Sequence, residues 1–227
     1  MRKNRNVFTL FLLLLSCCLF TSCFDLVEEI DLKNDGTGRI KATLNLSKSG
    51  SKVASLMKLK SVSGITIPTE ASIREQTETI AKILRATPGI RQVQYNLDFK
   101  TYIATLSCQF DNVEALNRFT ETLAKHFKSP LGKNNSYTYN KNTRTLTRSY
   151  QYTPELNKEF SKLSTNDRSL FDDAFYTNII RFDDVVKSQS HQAGKISGTK
   201  KAVLLKLKAT DLILGKATLA NSITLSQ

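Results

Sequence analysis

The chain has 227 residues and a formal net charge of +13, with 23% charged and 8% aromatic residues. A chain of this size buries about 70% of the surface it exposes when unfolded, which suits one large domain or two small lobes. Three of the four cysteines lie within the first 23 residues and the fourth is Cys108, so a disulfide-stapled scaffold is excluded.

The first 22 residues predict a lipoprotein signal peptide. Three basic residues among the first five are followed by an apolar run at residues 7–15 and by the small pair Thr21-Ser22. The apolar run is shorter than a membrane span requires. Residues 19–23, Leu-Phe-Thr-Ser-Cys, resemble the lipobox of bacterial lipoproteins. The resemblance implies that the cysteine thiol is diacylated, the peptide is cut before it, and the new amino terminus is acylated.

Cys23 is the predicted site of lipid attachment, which makes the lipid bilayer the first predicted partner. Removing residues 1–22 leaves 205 residues with a net charge of +10. Three acyl chains, at about 0.8 kcal/mol for each buried methylene, would hold the protein at the membrane permanently. Cys17 offers a competing lipobox match. The plainer alternative is an ordinary secretory signal, or an uncleaved anchor, with incidental cysteines.

Two alternating runs after Cys23, at residues 25–31 and 39–46, predict a β-hairpin. The intervening residues, Lys-Asn-Asp-Gly-Thr-Gly, provide a glycine for a position with positive φ. Because the first strand starts next to the lipid, we expect the folded domain to lie close against the bilayer. A helical stretch at residues 49–60 follows.

A second helix is predicted to open on a capping box, Ser72-Ile73-Arg74-Glu75, and to end before Pro88-Gly89. Alternating strands at residues 90–99 and 102–110 then pair through a turn at Lys100. In the second of these strands Cys108 lies on the apolar face, which indicates a small buried hydrophobe rather than a reactive thiol.

Asp111 is predicted to cap a third helix. The apolar face of that helix consists of Val113, Leu116, Phe119, Leu123 and Phe127. Strands at residues 136–139 and 145–152 complete a helix–strand–strand–helix–strand unit that resembles a split βαβ arrangement. Pro88-Gly89-Ile90 and its strand are similar to small metal-carrying domains of that type. Their Cys-x-x-Cys motif is absent, so the resemblance implies topology alone.

The chain after Pro154 predicts two short helices at residues 155–163 and 167–175, a strand at residues 176–182, a polar loop or irregular hairpin at 187–198 and strands at about 203–208 and 217–225. The predicted fold class is α+β, with mainly antiparallel sheets, helices packed on one face and a split βαβ-like first lobe. The predicted domains are the signal peptide (1–22), an α+β lobe with an N-terminal hairpin (23–153) and a helix and strand lobe (154–227). The last is either a separate lobe or part of the same domain.

The hairpin and a late strand carry a resemblance to known lipoproteins. A Ser-Cys signal followed at once by a strand, an Asn-Asp-Gly-Thr-Gly turn and a second strand looks like a large set of uncharacterised lipoproteins from the Bacteroidetes group. The turn and the Tyr-x-x-x-Ile-x-Phe strand at residues 176–182 are also distantly similar to LppM-type lipoproteins of mycobacteria. The chain lacks the carboxy-terminal membrane helix of the mycobacterial type. The resemblance implies an envelope protein and says nothing of its activity.

Motifs for catalysis, cofactors and metals are missing from the sequence. A calcium-loop-like run at residues 31–42 has Lys33 and Ala42 where oxygen ligands are required. His126 and His191 have no neighbouring cysteine or acidic ligands, and no nucleophile or phosphate-loop motif is present. We therefore predict no metal, no cofactor and no enzymatic activity. A hydrolase with dispersed catalytic residues is the least favoured functional class.

Positive charge is concentrated near the carboxyl end, where residues 187–227 carry seven lysines against the single acid Asp211. The predicted contacts to an anionic surface are Lys195, Lys200, Lys201, Lys206 and Lys208. The plainer interpretation is a solvated strand face that resists edge-to-edge aggregation. Nucleic acid is not a predicted partner, because this region lacks aromatic residues that stack on bases and the protein is exported.

The leading functional prediction is a membrane-anchored envelope lipoprotein that acts as a non-catalytic binding or assembly module. Its partner would be an envelope protein or anionic lipid headgroups. The alternative is a carrier of a lipid or another apolar ligand, which requires an unfilled cavity. Phe24, rather than aspartate, follows Cys23, which predicts the outer membrane. The acidic residues that follow are spread through a strand, which favours the periplasmic face over surface display.

Overall fold

The computed structural model describes residues 24–62, 65–126 and 135–226. The strands are β1 (Asp25–Leu32), β2 (Gly38–Asn45), β3 (Ser61–Val62), β4 (Ile65–Thr66), β5 (Ile90–Asp98), β6 (Ile103–Phe110), β7 (Asn135–Asn140), β8 (Thr145–Tyr150), β9 (Phe175–Phe182), β10 (Val186–Gln189), β11 (Gly194–Ile196), β12 (Ala202–Lys208) and β13 (Asn221–Leu225). The helices are α1 (Gly50–Leu56), α2 (Glu70–Arg85), α3 (Val113–His126), α4 (Pro154–Lys162), α5 (Thr165–Arg168) and α6 (Ala209–Ile213). The predicted α+β class with mainly antiparallel sheets is confirmed.

The described strands form a large sheet, a small sheet and a two-stranded pair of β3 and β4. The large sheet has seven strands in the order β11-β12-β9-β1-β2-β6-β5, and the small sheet has four in the order β10-β13-β8-β7. β1 lies in the middle of the large sheet, antiparallel to β2 and parallel to β9. Strands from both predicted lobes therefore belong to one sheet. Among the described helices, none has the length and apolar content needed to cross a membrane.

The predicted hairpin is confirmed as β1 and β2, which pair in register from Asp25 opposite Asn45 to Leu32 opposite Gly38. In its turn, Gly36 has a φ of 86°, a left-handed conformation that glycine adopts at little cost. The Asp35 side chain accepts a 2.9 Å hydrogen bond from the backbone N–H of Thr37 and fixes the turn. The hairpin thus brings β2 back to the end of the sheet where β1 begins.

The large sheet has an inner face that is buried and an outer face that carries charge. On the inner face Ile30 lies opposite Ile40 on β2 and Ile180 on β9, and all three are buried. Helices α2 and α3 and the small sheet contribute side chains to the same core cluster. On the outer face Arg181 pairs with Glu29 at 2.8 Å and with Asp31 at 3.2 Å. The two faces follow from the alternation of side chains along each strand.

Both predicted helix caps lie away from the observed ones. The backbone of Thr69 is extended after Pro68, and the Thr69 hydroxyl accepts a 3.1 Å hydrogen bond from the Ser72 N–H. Thr69, not Ser72, is therefore the N-cap of α2. At α3 the Asn112 side chain accepts a 2.8 Å hydrogen bond from the Ala115 N–H, whereas Asp111 forms an ion pair with Arg91.

β7 and β8 belong to the small sheet, although their order after α3 matches the prediction. β6 is already flanked by β2 and β5, so it has no free edge for a further strand. β7 instead pairs with β8, and β8 pairs with β13. The short helix predicted at residues 167–175 is instead α5, Thr165–Arg168, followed by a 3₁₀ turn at Ser169–Phe171. Phe127, which was predicted on the apolar face of α3, lies outside the described residues.

Candidate functional site

An apolar cavity of about 410 Å³ lies at the end of the large sheet where β1 begins. We call this end the Asp25 end and the opposite one the Leu32 end. Helix α1, the start of α2, the β5–β6 turn and the inner face of the large sheet enclose the cavity. Its main apolar lining residues are Phe24, Leu44, Val53, Leu56, Met57, Ile73, Leu97, Phe99 and Ala104. A volume of this size is in the range of ligand pockets, about 300 to 1,000 Å³.

The inner face of the large sheet forms the floor of the cavity. Leu44 on β2 lies opposite Ala104 on β6, which lies opposite Leu97 on β5. Leu26 on β1 lies opposite Leu44, and both leucines are 38% exposed. Leu44 lines the cavity, and Leu26 is a partly exposed neighbour on the same inner face. The floor is therefore a hydrophobic surface that the protein does not itself fill.

Helix α1 forms one wall because its sequence is amphipathic over two turns. Val53, Leu56 and Met57 line the cavity with apolar side chains, whereas Ser51 and Ser55 are exposed; Lys52 is exposed and also contributes to the lining. A spacing of three to four residues places the three apolar side chains on one helix face. None of the residues of α1 is fully buried. The apolar face of α1 therefore borders the open cavity and is not covered by other side chains of the core.

Aromatic side chains close the two sides of the cavity. The rings of Phe24 and Phe171 meet edge to face with centroids 5.3 Å apart, and the Phe160 ring meets Phe171 in the same way. On the other side the Arg74 guanidinium lies 4.7 Å from the centroid of the Phe99 ring. Such contacts hold the rings in fixed positions and leave the space between them open.

The backbone of Phe24 is part of the fold. Its carbonyl oxygen accepts a 3.1 Å hydrogen bond from the N–H of Phe175 at the start of β9. Cys23, the predicted lipid attachment site, lies outside the described residues. The described structure therefore begins at a residue that lines the cavity.

A buried polar cluster lies on the inner face one row deeper than Leu26. The Glu28 carboxylate accepts hydrogen bonds from the Tyr137 hydroxyl at 2.6 Å and the Tyr176 hydroxyl at 2.8 Å. It also accepts a 3.2 Å hydrogen bond from the Asn178 side-chain amide and pairs with Arg148 at 3.7 Å. Glu28, Tyr176 and Asn178 belong to the large sheet and the other two residues to the small sheet. The Glu28 cluster therefore links the two sheets.

The electrostatics of the cluster follow from its burial. Burial raises the pKa of the Tyr137 and Tyr176 hydroxyls well above their usual value, so both remain protonated donors. Burial by itself would lower the pKa of Arg148, but the neighbouring tyrosines and Glu28 raise it. The guanidinium also lies over both tyrosine rings, 5.0 Å and 5.4 Å from their centroids. The Glu28 oxygens are occupied, so the cluster serves structure and offers no open acceptor to a ligand.

The five lysines predicted to contact an anionic surface are all exposed but do not form one patch. Lys206 and Lys208 lie on the outer face near the Asp25 end, and the Lys206 ammonium is 4.1 Å from the Phe175 ring centroid. Lys195, on β11, lies opposite Leu204 on the same face. Lys200 and Lys201 are in the β11–β12 turn at the Leu32 end. Eight residues of β9 separate the two ends, which is roughly 25 Å.

The two histidines lie outside the cavity lining. Nδ1 of His191 accepts a 3.0 Å hydrogen bond from the Ala193 N–H, and Nε2 is 3.0 Å from the Thr218 carbonyl oxygen. Backbone groups therefore occupy both nitrogens of this ring. His126 ends helix α3. Within the described ranges, no group of three or more histidine, cysteine or acidic side chains is placed to hold a metal ion.

Cys108 is 1% exposed in the core, which confirms the interpretation as a buried hydrophobe. Burial raises the pKa of its thiol to about 12. A thiol with this pKa is almost fully protonated at neutral pH and is a poor nucleophile.

The sequence prediction missed both the cavity and the Glu28 cluster. Glu28 interrupts an apolar row formed by Phe24, Leu26, Ile30 and Leu32, and a charged residue on such a row indicates a buried partner. That signal was available in the sequence, whereas the identity of Arg148 as the partner was not. The cavity has no comparable signal, since an apolar row looks the same whether it is covered or open.

The fold is similar to one solved structure, the folded domain of LppM from Mycobacterium tuberculosis determined by NMR. The two chains are 15% identical, 91% of each is covered, and the TM-score is 0.46. No protein-family model matches the chain, and no curated protein matches it. The similarity agrees with the distant resemblance to LppM-type lipoproteins in fold alone. At this identity and TM-score it carries no argument about activity, ligand or anchoring.

Proposed function

We propose that the protein is an envelope lipoprotein, anchored through acylated Cys23, that binds an apolar chain such as the acyl chain of a lipid in the cavity at the Asp25 end. The observation that carries this proposal is the open hydrophobic floor, where Leu44 is 38% exposed and Leu97 and Ala104 are only partly buried although all three lie on the inner face of the sheet. Burying such surface under a hydrocarbon chain is favourable by about 25 cal/mol for each Å².

The chemistry of the lining favours a hydrocarbon over a polar ligand. Val53, Leu56, Met57 and Leu97 present only carbon and sulfur atoms. The polar lining residues include Ser49, Lys52 and Asp98. Ser49 is buried, Lys52 is exposed to solvent, and the Asp98 carboxylate accepts hydrogen bonds from the Lys100 and Thr101 N–H groups at 2.8 and 3.0 Å. A polar ligand would lose hydrogen bonds to water there without replacement.

The location supports the same function. The outer membrane, with the protein facing the periplasm, is the location we propose from the residues around Cys23. A protein held there has acyl chains beside its cavity at all times, so even modest affinity keeps the cavity occupied. Neither this geometry nor the chemistry of the cavity calls for a catalytic step, so we propose a binding module instead of an enzyme.

Native mass spectrometry of the full-length protein, followed by lipid extraction, tests the proposal. We expect a stoichiometric lipid mass on the wild-type protein. Ala104→Phe places a phenyl ring in the cavity and should weaken lipid binding at least tenfold, which is seen as loss of bound lipid mass. Excluding two methylenes already weakens binding by about 1.6 kcal/mol, which is more than a tenfold change.

Thr105→Phe is the matched control, since it adds the same ring to the opposite face of β6. Residue 105 lies opposite Thr43 on the outer face. Lipid mass equal in Ala104→Phe and wild type would show that any lipid is bound elsewhere. A wild-type protein that is folded by circular dichroism but carries no lipid would leave the assembly-module interpretation, with an envelope protein as partner, as the better one.

A further inference from the structure

The segment that covers the cavity is the most uniformly basic stretch beside the Asp25 end. Residues 46–69 contain four lysines and no aspartate or glutamate. The lysines are Lys48, Lys52, Lys58 and Lys60, and all four are exposed. We call residues 46–62 the basic cover.

An exposed apolar side chain lies among these charges. Leu59 is 50% exposed between Lys58 and Lys60, just after Met57 of the cavity lining. A leucine flanked by lysines on an exposed turn costs solubility and contributes nothing to the core. The same combination of basic and apolar side chains is suited to the surface of an anionic bilayer, where the ammonium groups meet phosphates and the leucine meets acyl chains.

The acidic groups near the cover do not cancel its charge. Asp25 is bound to Lys48 through a 3.1 Å ion pair. Asp98 is held by the N–H groups of its own turn, and its pKa is lowered by hydrogen bonds to Thr101 and Lys100. Against the two carboxylates of Asp25 and Asp98, the four lysines of the cover leave an excess of two positive charges on one side of the cavity.

From these features we infer that the basic cover is a membrane-docking surface that contacts anionic phospholipid headgroups and turns the mouth of the cavity toward the bilayer. Phe24 lines the cavity and is held to β9, so a lipid on the preceding residue would bring the cover to the headgroup layer. The inference uses the anchoring at Cys23 that the proposed function includes. It differs from the sequence prediction, in which Lys195, Lys200, Lys201, Lys206 and Lys208 make this contact.

The absence of tryptophan from the chain allows a direct test. Leu59→Trp introduces a single tryptophan into the cover of the full-length protein. The protein is reconstituted in vesicles of phosphatidylethanolamine and phosphatidylglycerol that contain acyl-brominated phosphatidylcholine. We expect bromine atoms in the bilayer to quench this tryptophan, and 1 M NaCl to reduce the quenching by screening the headgroup contacts.

Val185→Trp is the matched control, because Val185 is 39% exposed and lies at the Leu32 end. We expect little quenching there. Equal quenching at both positions, or none at residue 59, would overturn the docking inference. The result is independent of cavity occupancy, which native mass spectrometry measures in the same samples. Bound lipid without quenching at residue 59 would remove the docking surface and leave the proposed function in place.

Charge reversal identifies which lysines make the contact. Lys52→Glu combined with Lys58→Glu should shift the docking equilibrium by about 25-fold or more, at roughly fivefold for each lysine near an anionic surface. Lys206→Glu combined with Lys208→Glu is the matched pair on the outer face and should leave quenching of Trp at residue 59 unchanged. The reverse pattern would assign docking to the outer face and overturn the inference.

Discussion

The hydroxyl of Tyr137 on β7 donates a 2.6 Å hydrogen bond to the carboxylate of Glu28 on β1 and so joins the small sheet to the centre of the large one. Tyr137 is 2% exposed, and the Arg148 side chain beside it is 3% exposed. A charged pair in such a place stabilises the fold only while it is complete, because removing one partner leaves the other charge buried. The cluster therefore fixes how the sheets are placed against each other.

We predict that Glu28→Gln lowers the free energy of unfolding by about 3 kcal/mol, because it leaves the Arg148 guanidinium buried without its counter-charge. Adding Arg148→Met to this variant should recover about 2 kcal/mol, since the uncompensated charge is then removed as well. Urea unfolding followed by circular dichroism measures both values.

Glu29→Gln is the control for this prediction. Glu29 is the neighbouring residue on the outer face, where it pairs with Arg181 and Lys41 near solvent. An exposed pair contributes about 0 to 1 kcal/mol, so this variant should change stability by less than 1 kcal/mol. A loss at position 28 no larger than at position 29 would contradict the structural role of the cluster.

Stability should fall in alkaline solution, and Cys108 allows one contribution to be isolated. Burial raises the pKa of its thiol from 9.0 to about 12. Between these values the unfolded chain has lost the thiol proton and the folded chain has kept it, so stability decreases as pH rises. The expected slope from this group is about 1.4 kcal/mol per pH unit.

The difference in unfolding free energy between the wild-type protein and Cys108→Ala measures this slope. The unfolding free energy of the wild type minus that of the variant should be constant below pH 9 and should decrease as the pH rises above 9. The buried tyrosines add to the alkaline loss in both proteins, since their pKa values are also raised, and they cancel in the comparison. A difference that does not change between pH 8 and pH 11 would show that the thiol ionises without unfolding.

The hairpin turn should depend on one glycine. Gly36 has a φ of 86°, and a Cβ at this position would have room, with its nearest neighbour at 3.5 Å. Gly36→Ala should therefore cost about 1 kcal/mol through backbone strain alone. Gly198→Ala is the control, because a Cβ there meets nothing within 4 Å and the backbone is not left-handed. Similar stability of the two variants in urea would contradict this explanation.

Much of the large sheet could be predicted because each strand carries its own information. The alternation of apolar and polar residues in β1, β2 and β6 indicates which side chains face inward, and the glycine turn at Gly36 indicates that the first two strands pair. Pairings between distant strands are not encoded in this local way. β9 joins β1 across more than a hundred residues, and β8 joins β13, through backbone hydrogen bonds that any strand could make. Their choice depends on the shape of the whole core.

The candidate site was harder to predict for a physical reason. A cavity forms where no other side chains pack onto an apolar row of a sheet. The sequence shows that the row is apolar but does not show which side chains pack onto it. The sequence did predict a helix at residues 49–60, and the structure has α1 there, but only its packing shows that Val53 and Met57 face an open space. The sequence prediction of an anionic-surface contact was based on the number of lysines at residues 187–227. Two of them, Lys200 and Lys201, lie in a turn far from the start of β1.

The position of the α2 cap provides a last test of the structure, at a wall of the cavity. Thr69→Ala removes the acceptor for the Ser72 N–H and should cost about 1 kcal/mol. Ser72→Ala removes a hydroxyl that accepts a 3.0 Å hydrogen bond from Gln76 on the exposed surface, so its cost should be less than half as large. Because Ile73 lines the cavity one turn after the cap, fraying in Thr69→Ala should also speed amide hydrogen exchange at residues 70–74. A larger loss for Ser72→Ala would instead place the cap at the capping box that the sequence predicts.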